Sequence, residues 1–439
     1  MKKTLCTILA LCMLFTVIAA CAGDPPAPVA IQPAPEPAPA PAEPAAPAPA
    51  PAPAPEEAPV AHPEVSEPTW FELNPDFPGR IGIITNTIDQ NEEEFRSAEA
   101  LVRMYGSHKI IHRTWPVRFA EEAEMMITIM SDLARDPQIN AIIINQAVIN
   151  TNAAIDRARE IREEMEQPIF IVSAAAAEMP ADVSLRVDLS LDVNNPAIGE
   201  RFVEQALEMG AKTIAHYSFP RHMAIPPLSV RRDRIAAAAE TAGIKFVDLS
   251  SPDPMEEGGM AASQLFISQD VPRQVADLGV DTAFFSTNCG QQIPLLNGVL
   301  ETGAMYVQPC CPSPFHAFPT ALGLAADQSE ALINFTPQEI IAATSEAVRA
   351  AGMSGRLSNY AMPASMVWTT VGFMYAVEWL NGNAPQEVGK VDIDLLNTLV
   401  GDYSYFLFGE RKYFALSEQE IDGVVYPLII VGLAPYIVY

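Results

Sequence analysis

Ala141-Ile-Ile-Ile144 is a run of apolar residues closed by Asn145-Gln146. A strand that is apolar on both faces suits the interior of a parallel sheet, covered by helices above and below. Outward from it the chain alternates. Upstream, Ile81-Gly-Ile-Ile-Thr85 and Lys109–Thr114 read as strands, with amphipathic helices over Glu92–Met104 and Ala120–Ala134. Downstream come a helix over Thr151–Met165 and a strand over Pro168–Ser173, then a second set of the same kind. Its strands fall at Thr213–Ser218, Lys245–Leu249, Thr282–Ser286 and Met305–Gln308, between helices over Pro196–Met209, Ser229–Ala242, Met260–Leu278 and Gln291–Glu301. This rhythm predicts an α/β protein with two Rossmann-like lobes, each holding a parallel sheet of about five strands, joined by a multi-strand hinge.

The expected organisation is a first lobe over 69–195, a second over 196–312, and hinge crossings and completing segments over 313–439. Crossings are expected near Asn194-Asn195, Cys310–Phe315 and Asn359–Ala364. Helices are expected over Pro337–Ala351 and Met366–Leu380. The apolar ending Val424–Tyr439 contains Pro427 and Pro435 and suits terminal strands on a lobe better than a membrane span.

Of the 439 residues, 49% are hydrophobic and 18% charged, enough for a large core and too apolar for a wholly disordered chain. Asp and Glu number 54 against 26 Lys and Arg, a formal net charge of −28 that repels a phosphate backbone, so no nucleic-acid partner is expected. A signal peptide is read over residues 1–20: Met1-Lys2-Lys3 is basic, Leu5–Ala20 apolar, and the run ends at Ile18-Ala19-Ala20-Cys21. The order resembles a bacterial lipoprotein signal, which implies that the Cys21 thiol takes lipid. Most of the 40 prolines fall in the alternating Pro-Ala string that follows. Residues 21–68 are therefore a lipidated cysteine and a tether, extended and polyproline-like, reaching on the order of 100 Å. Cys289, Cys310 and Cys311 remain in the body; three thiols allow at most one bridge, from Cys289 to Cys310 or to Cys311, or serve as small buried residues.

Ligands of open parallel sheets sit beyond the carboxyl ends of the strands, and here those ends are rich in amides. Asn86, Thr87, Asn145, Gln146, Asn150, Asn288 and Gln308 are the candidate contacts, each amide offering a donor and an acceptor. Asn and Thr also gather at strand ends as turn and helix-cap residues. Trp115 and Phe219 stand at the same edges and offer stacking faces. Arg221, Arg231, Arg232 and Arg234 form the basic cluster of an acidic chain, from which Arg221 and Arg234 are the candidate anion or carbonyl clamps.

Taken together, the two lobes, signal, lipid anchor and tether resemble the type I solute-binding proteins of ABC importers. The match runs over about residues 79–370. Arg232-Asp-Arg234-Ile-Ala-Ala237 is similar to the Arg-x-Arg-x-x-Gly helix opening of sugar binders, which implies that Arg234 reaches the ligand, with Ala237 in place of glycine. Phe285-Ser-Thr-Asn288-Cys289 resembles a strand end that supplies a polar contact. Ile143-Ile144-Asn145-Gln146 resembles the Ile-Asn-Pro turn of ribose binders, with Asn150 and Gln308 at positions where Asp is usual. The whole chain is also similar to a domain-of-unknown-function family of bacterial extracytoplasmic lipoproteins.

The resemblance implies a monomeric, lipid-anchored receptor that closes on a nucleoside, sugar or similar ring compound and delivers it to an ABC permease complex. Two alternatives stay open: a sensor handing its bound state to a membrane signalling partner, and an extracellular enzyme using Cys289 or Cys311. No cofactor or metal is expected. No Gly-x-Gly-x-x-Gly, Walker, His-Glu-x-x-His or Gly-x-Ser-x-Gly motif is present, and His108 and His112 flank a strand rather than sharing a helix face.

Overall fold

The computed structural model describes residues 69–439 except 89, 194, 325–336, 388, 410, 412–415, 422–423 and 432–435. These residues fall within one unit, Pro59–Tyr439. The signal, Cys21, the tether and Asn194 lie outside the described residues.

The first sheet contains β1 (Arg80–Thr85), β2 (Ile110–Thr114), β3 (Ile139–Ala147), β4 (Phe170–Ala176) and β5 (Leu189–Val193). The second contains β6 (Thr213–Ser218), β7 (Lys245–Ser250), β8 (Thr282–Ser286) and β9 (Met305–Tyr306). Near the carboxyl terminus lie β10 (Ser358–Tyr360), β11 (Leu416–Ile421), β12 (Val424–Val431) and β13 (Tyr436–Val438). The orders are β11-β12-β5-β4-β3-β1-β2, β7-β6-β8-β9, and a β10-β13 pair. The two sheets therefore have seven and four strands. The first is larger than expected because β12 pairs parallel with β5 and brings the antiparallel β11 with it. The last strand of the second is only two residues long, and its Tyr306 also makes a parallel bridge to Leu357.

As its run of apolar residues requires, β3 is interior, paired with β1 and β4 and buried from Ala141 to Asn145. Helix Ala364–Leu380 is apolar all round and lies against β3, β4 and β5, and Phe373, Met374 and Val377 are fully buried there. Helices Ala123–Arg135 and Thr151–Glu164 cover the opposite face. In the second lobe, helices Asn195–Glu208 and Pro226–Ala242 pack around Ile214 and Phe285 on one face, and helices Gly259–Leu278 and Gln292–Thr302 cover the other.

β5 of the first sheet is followed by helix Asn195–Glu208 of the second lobe, β10 by helix Ala364–Leu380 on the first sheet, and β12 in the first sheet by β13, which pairs with β10. The expected crossing at Cys310–Phe315 is a correction. That segment touches the first lobe, with Ala364 N donating to Pro312 O at 3.1 Å, but Ala317 and Phe318 turn back into the second-lobe core.

Gly199 sets how closely helices Asn195–Glu208 and Pro226–Ala242 approach. An added Cβ would stand 2.7 Å from the Arg231 carbonyl oxygen and 2.9 Å from the Arg234 Cβ. Gly199→Ala is expected to cost about 1–3 kcal/mol by overpacking, read as a lower urea midpoint at unchanged m-value.

Candidate functional site

The carboxyl ends of both sheets face one cleft with a volume of about 500 Å³. The first lobe contributes Asn86 after β1, Gln146 in β3, Ala175 in β4 and Asp192 in β5; the second contributes Arg221 and His222 after β6, Asn288 and Cys289 after β8, and Cys310 and Cys311 after β9. Gln146 and Ala175 both take left-handed backbone conformations, at φ of 49° and 67°. Non-glycine residues adopt this conformation at a cost of about 1–3 kcal/mol, and such strain gathers at binding sites. Here it turns neighbouring strand ends into the cleft.

Asn86 donates to two side chains and leaves one acceptor unmet. Its N–H donates to Glu94 Oε1 at 2.5 Å, its Nδ2 donates to Gln146 Oε1 at 3.1 Å, and its buried Oδ1 has no protein partner. Burial pushes the Glu94 carboxyl up to about 8 and that of Asp192 up to about 7; Glu93 is also raised by burial. On the facing lobe, Arg221 makes a bidentate pair with Asp253, 2.7 Å for each bond, over the Phe219 ring. His222 bonds Thr287 at 3.0 Å, and burial takes its pKa down to about 3.

The least compensated group is Arg231, 3% exposed. Its Nη1 donates to the Cys310 carbonyl at 3.0 Å, while Nε and Nη2 have no partner. Arginine stays charged in proteins, and although Cys311 and Asp192 lie close enough to interact with it, neither hydrogen-bonds it, so its burial is costly. Beyond the polar floor the lining is apolar, with Pro226, Pro227 and Leu228 on one side and Met255, Met260 and Trp368 elsewhere.

The cleft brings together four of the sequence candidates, Asn86, Gln146, Arg221 and Asn288. Asn288 also caps the following turn through Gly290 N. The others lie outside it. Arg234 is a correction: its side chain is exposed and pairs with Glu200 at 3.3 Å. Helix Pro226–Ala242 buries Arg231, Ile235 and Ala239, so Arg231 takes the inward position that the motif assigned to Arg234.

Trp115 is fully buried in the first-lobe core, and Asn145 is held under helix Ala364–Leu380 by Thr369. Asn150 donates to the Phe119 carbonyl, Thr87 bonds Gln90, and Gln308 accepts from the Tyr436 hydroxyl. Phe219 lies beneath Arg221 and His222. Sequence reasoning passed over Asp192, His222 and the apolar rim. His112 spends its nitrogens on Glu99 and Thr85, at 2.7 and 2.9 Å, leaving none for a pair with His108. His316 faces the Cys311 carbonyl at 3.1 Å rather than a thiol.

Cys289, Cys310 and Cys311 are free thiols with Sγ···Sγ separations of 3.0, 3.7 and 4.0 Å. The Cys289 and Cys310 thiols donate to Cys311 and hold its pKa well below the usual thiol range.

Two sheets built on parallel strands, with a cleft between their carboxyl edges, match the type I periplasmic-binding-protein fold. Within it, residues 80–358 match the family described as "Protein of unknown function (DUF3798)", and the chain belongs to that family. A Treponema pallidum (strain Nichols) protein, described as uncharacterised, is 28% identical over 178 residues, 40% of this chain and 81% of its own. A Clostridium difficile 630 protein described as a transcriptional regulator is 23% identical with a TM-score of 0.62, over 83% of this chain and all of that one (100%). A Clostridium phytofermentas ABC transporter solute-binding protein with bound L-rhamnose is 11% identical with a TM-score of 0.48, over 82% of this chain and 96% of that one. At 23% identity the likeness to the Clostridium difficile structure is one of fold.

Proposed function

We propose that the protein is a lipid-anchored solute-binding protein, held by Cys21 and its tether, that captures a small polar ring compound by lobe closure and delivers it to an ABC importer without transforming it. The observation that carries this reading is the pair of unmet groups at the cleft: donors Nε and Nη2 of Arg231, and acceptor Oδ1 of Asn86. A ligand that presents an oxygen to the guanidinium and an N–H or O–H to the amide satisfies both at once. The apolar rim favours a compound with a flat, weakly polar face, a nucleoside before a simple sugar. Closure follows where that ligand makes additional contacts only in the closed form.

A thermal-shift screen of the full chain against nucleosides, sugars, amino acids and vitamins tests the reading. A hit that stabilises wild type and Arg234→Ala alike but not Arg231→Ala is expected, because the exposed Arg234–Glu200 pair contributes less than about 1 kcal/mol. A hit that survives Arg231→Ala unchanged, or a screen with no hit in any class, overturns it.

A further inference from the structure

We propose that Cys289, Cys310 and Cys311 form a binding site for a thiophilic d10 divalent cation of the zinc class, set where the two lobes touch and open to the cleft. The inference stands apart from the solute reading, since it requires no solute in the cleft.

The three Sγ atoms come from the ends of neighbouring strands: Cys289 from the turn after β8, Cys310 and Cys311 from the segment after β9. They lie within 4.8 Å of one another. A tetrahedral centre with Zn–S of about 2.3 Å has S···S edges of about 3.8 Å. The Cys289–Cys311 and Cys310–Cys311 separations, 3.7 and 4.0 Å, match such edges. The third, 3.0 Å, is too long for a disulfide and short for an edge, and a small rotation about one Cα–Cβ bond opens it.

First-lobe amides complete the surroundings. Asn91 Nδ2 and Gln146 Nε2 each donate to a sulfur, Cys289 and Cys311 respectively, at 3.9 Å. Amide N–H donors are the outer-shell partners that thiolates take. Charge selects the ion: three thiolates with a divalent cation carry one net negative charge, which the buried Arg231 beside Cys310 matches, whereas a monovalent ion leaves two. Each sulfur binds as a thiolate, so any proton it still carries passes to solvent as its metal–sulfur bond forms, and affinity falls with acid. Three protein ligands leave the fourth tetrahedral position open to the cleft, the arrangement of an exchangeable ion rather than a closed structural one.

The test is a cadmium titration of the reduced full chain, with zinc competition, followed by the ultraviolet thiolate-to-metal charge-transfer band. The chain has six cysteines, so the reading is the difference from the variant with Cys289, Cys310 and Cys311 all changed to Ser. One equivalent lost in the triple variant, displaced by zinc and weakened at least tenfold in Cys311→Ser, is the expected result. Equal uptake by wild type and triple variant overturns the proposal. So does a reduced protein that takes up no cadmium and re-forms a Cys289–Cys310 disulfide in air. Circular dichroism of each variant separates lost binding from lost folding, and Gln146→Leu, which leaves the sulfurs in place, keeps the band but lowers affinity.

Discussion

Arg231→Met raises the melting temperature of the unliganded protein, measured in chelator, by a few degrees, and at the same time abolishes the stabilisation given by whichever solute the screen returns. The guanidinium is 3% exposed, and its one hydrogen bond goes to the Cys310 carbonyl. Two donor atoms are left without partners. The Phe285 ring, 5.0 Å away, offers its face, and Cys311 and Asp192 interact with the charge without hydrogen-bonding it. Replacing buried donors that have no partner with an apolar side chain of similar length removes their desolvation cost, about 1–3 kcal/mol. Methionine follows the same path between helix Pro226–Ala242 and β8. Binding changes in the opposite direction. Removing one partner of a buried charge-assisted contact costs about 2–5 kcal/mol, a loss of some thirtyfold to several thousandfold in affinity. A lower melting temperature with binding retained would mean that Arg231 is a structural ion, and the reading of the cleft would go with it.

The opposite signs show where the sequence could and could not be read. Strands such as β3 were legible because a run of apolar residues has few other solutions, and the strand-end rule then led to Asn86, Gln146, Arg221 and Asn288. Arg234 was misplaced by three positions on a helix, close to one turn yet enough to move a side chain from the buried row to solvent. The row itself, Arg231, Ile235 and Ala239 at intervals of four, was visible in the sequence and argued for Arg231. Trp115 failed for a different reason: a large ring at a strand end gains more from complete burial than from waiting for a ligand. The apolar rim comes from loops such as Pro226-Pro227-Leu228 and from Met255, where no periodicity signals a face. The β5–β12 pairing joins segments more than two hundred residues apart, which no local pattern announces. Convergence of the thiols depended on β8 and β9 being neighbours, an expectation the alternating rhythm supported without fixing the distances.

Stability against pH is expected to hold a plateau between about pH 4.5 and 6.5 and to fall on both sides. On the acid side, burial lowers the pKa values of His112, His216 and His222, the last to about 3. Below about 6.5 the unfolded chain takes up protons that these rings refuse, so stability drops as pH falls. On the alkaline side the sign reverses. Burial raises Glu93, Glu94 and Asp192, so the native protein retains protons that the unfolded chain has released above the ordinary carboxylate range. Each retained proton costs about 1.4 kcal/mol per pH unit until its folded pKa is passed, near 7 for Asp192 and 8 for Glu94. Between the carboxylate and imidazole ranges the two sets offset each other. Above 6.5 the carboxyl set dominates, opposed by one proton from the Cys311 thiol, whose neighbours hold it ionised. The net loss between pH 6.5 and 8 is visible as a falling melting temperature in chelator. Glu94→Gln isolates the cause: an amide oxygen still accepts from Asn86 N, so the contact survives while the titrating proton is gone. That variant has a shallower alkaline slope and keeps the acid limb. A wild-type protein whose melting temperature stays level or climbs from pH 6.5 to 8 would show that these carboxyls are ionised in the fold, in which case the cleft floor already holds the counter-charge for Arg231 and an anionic or carbonyl ligand has no unmet donor to find.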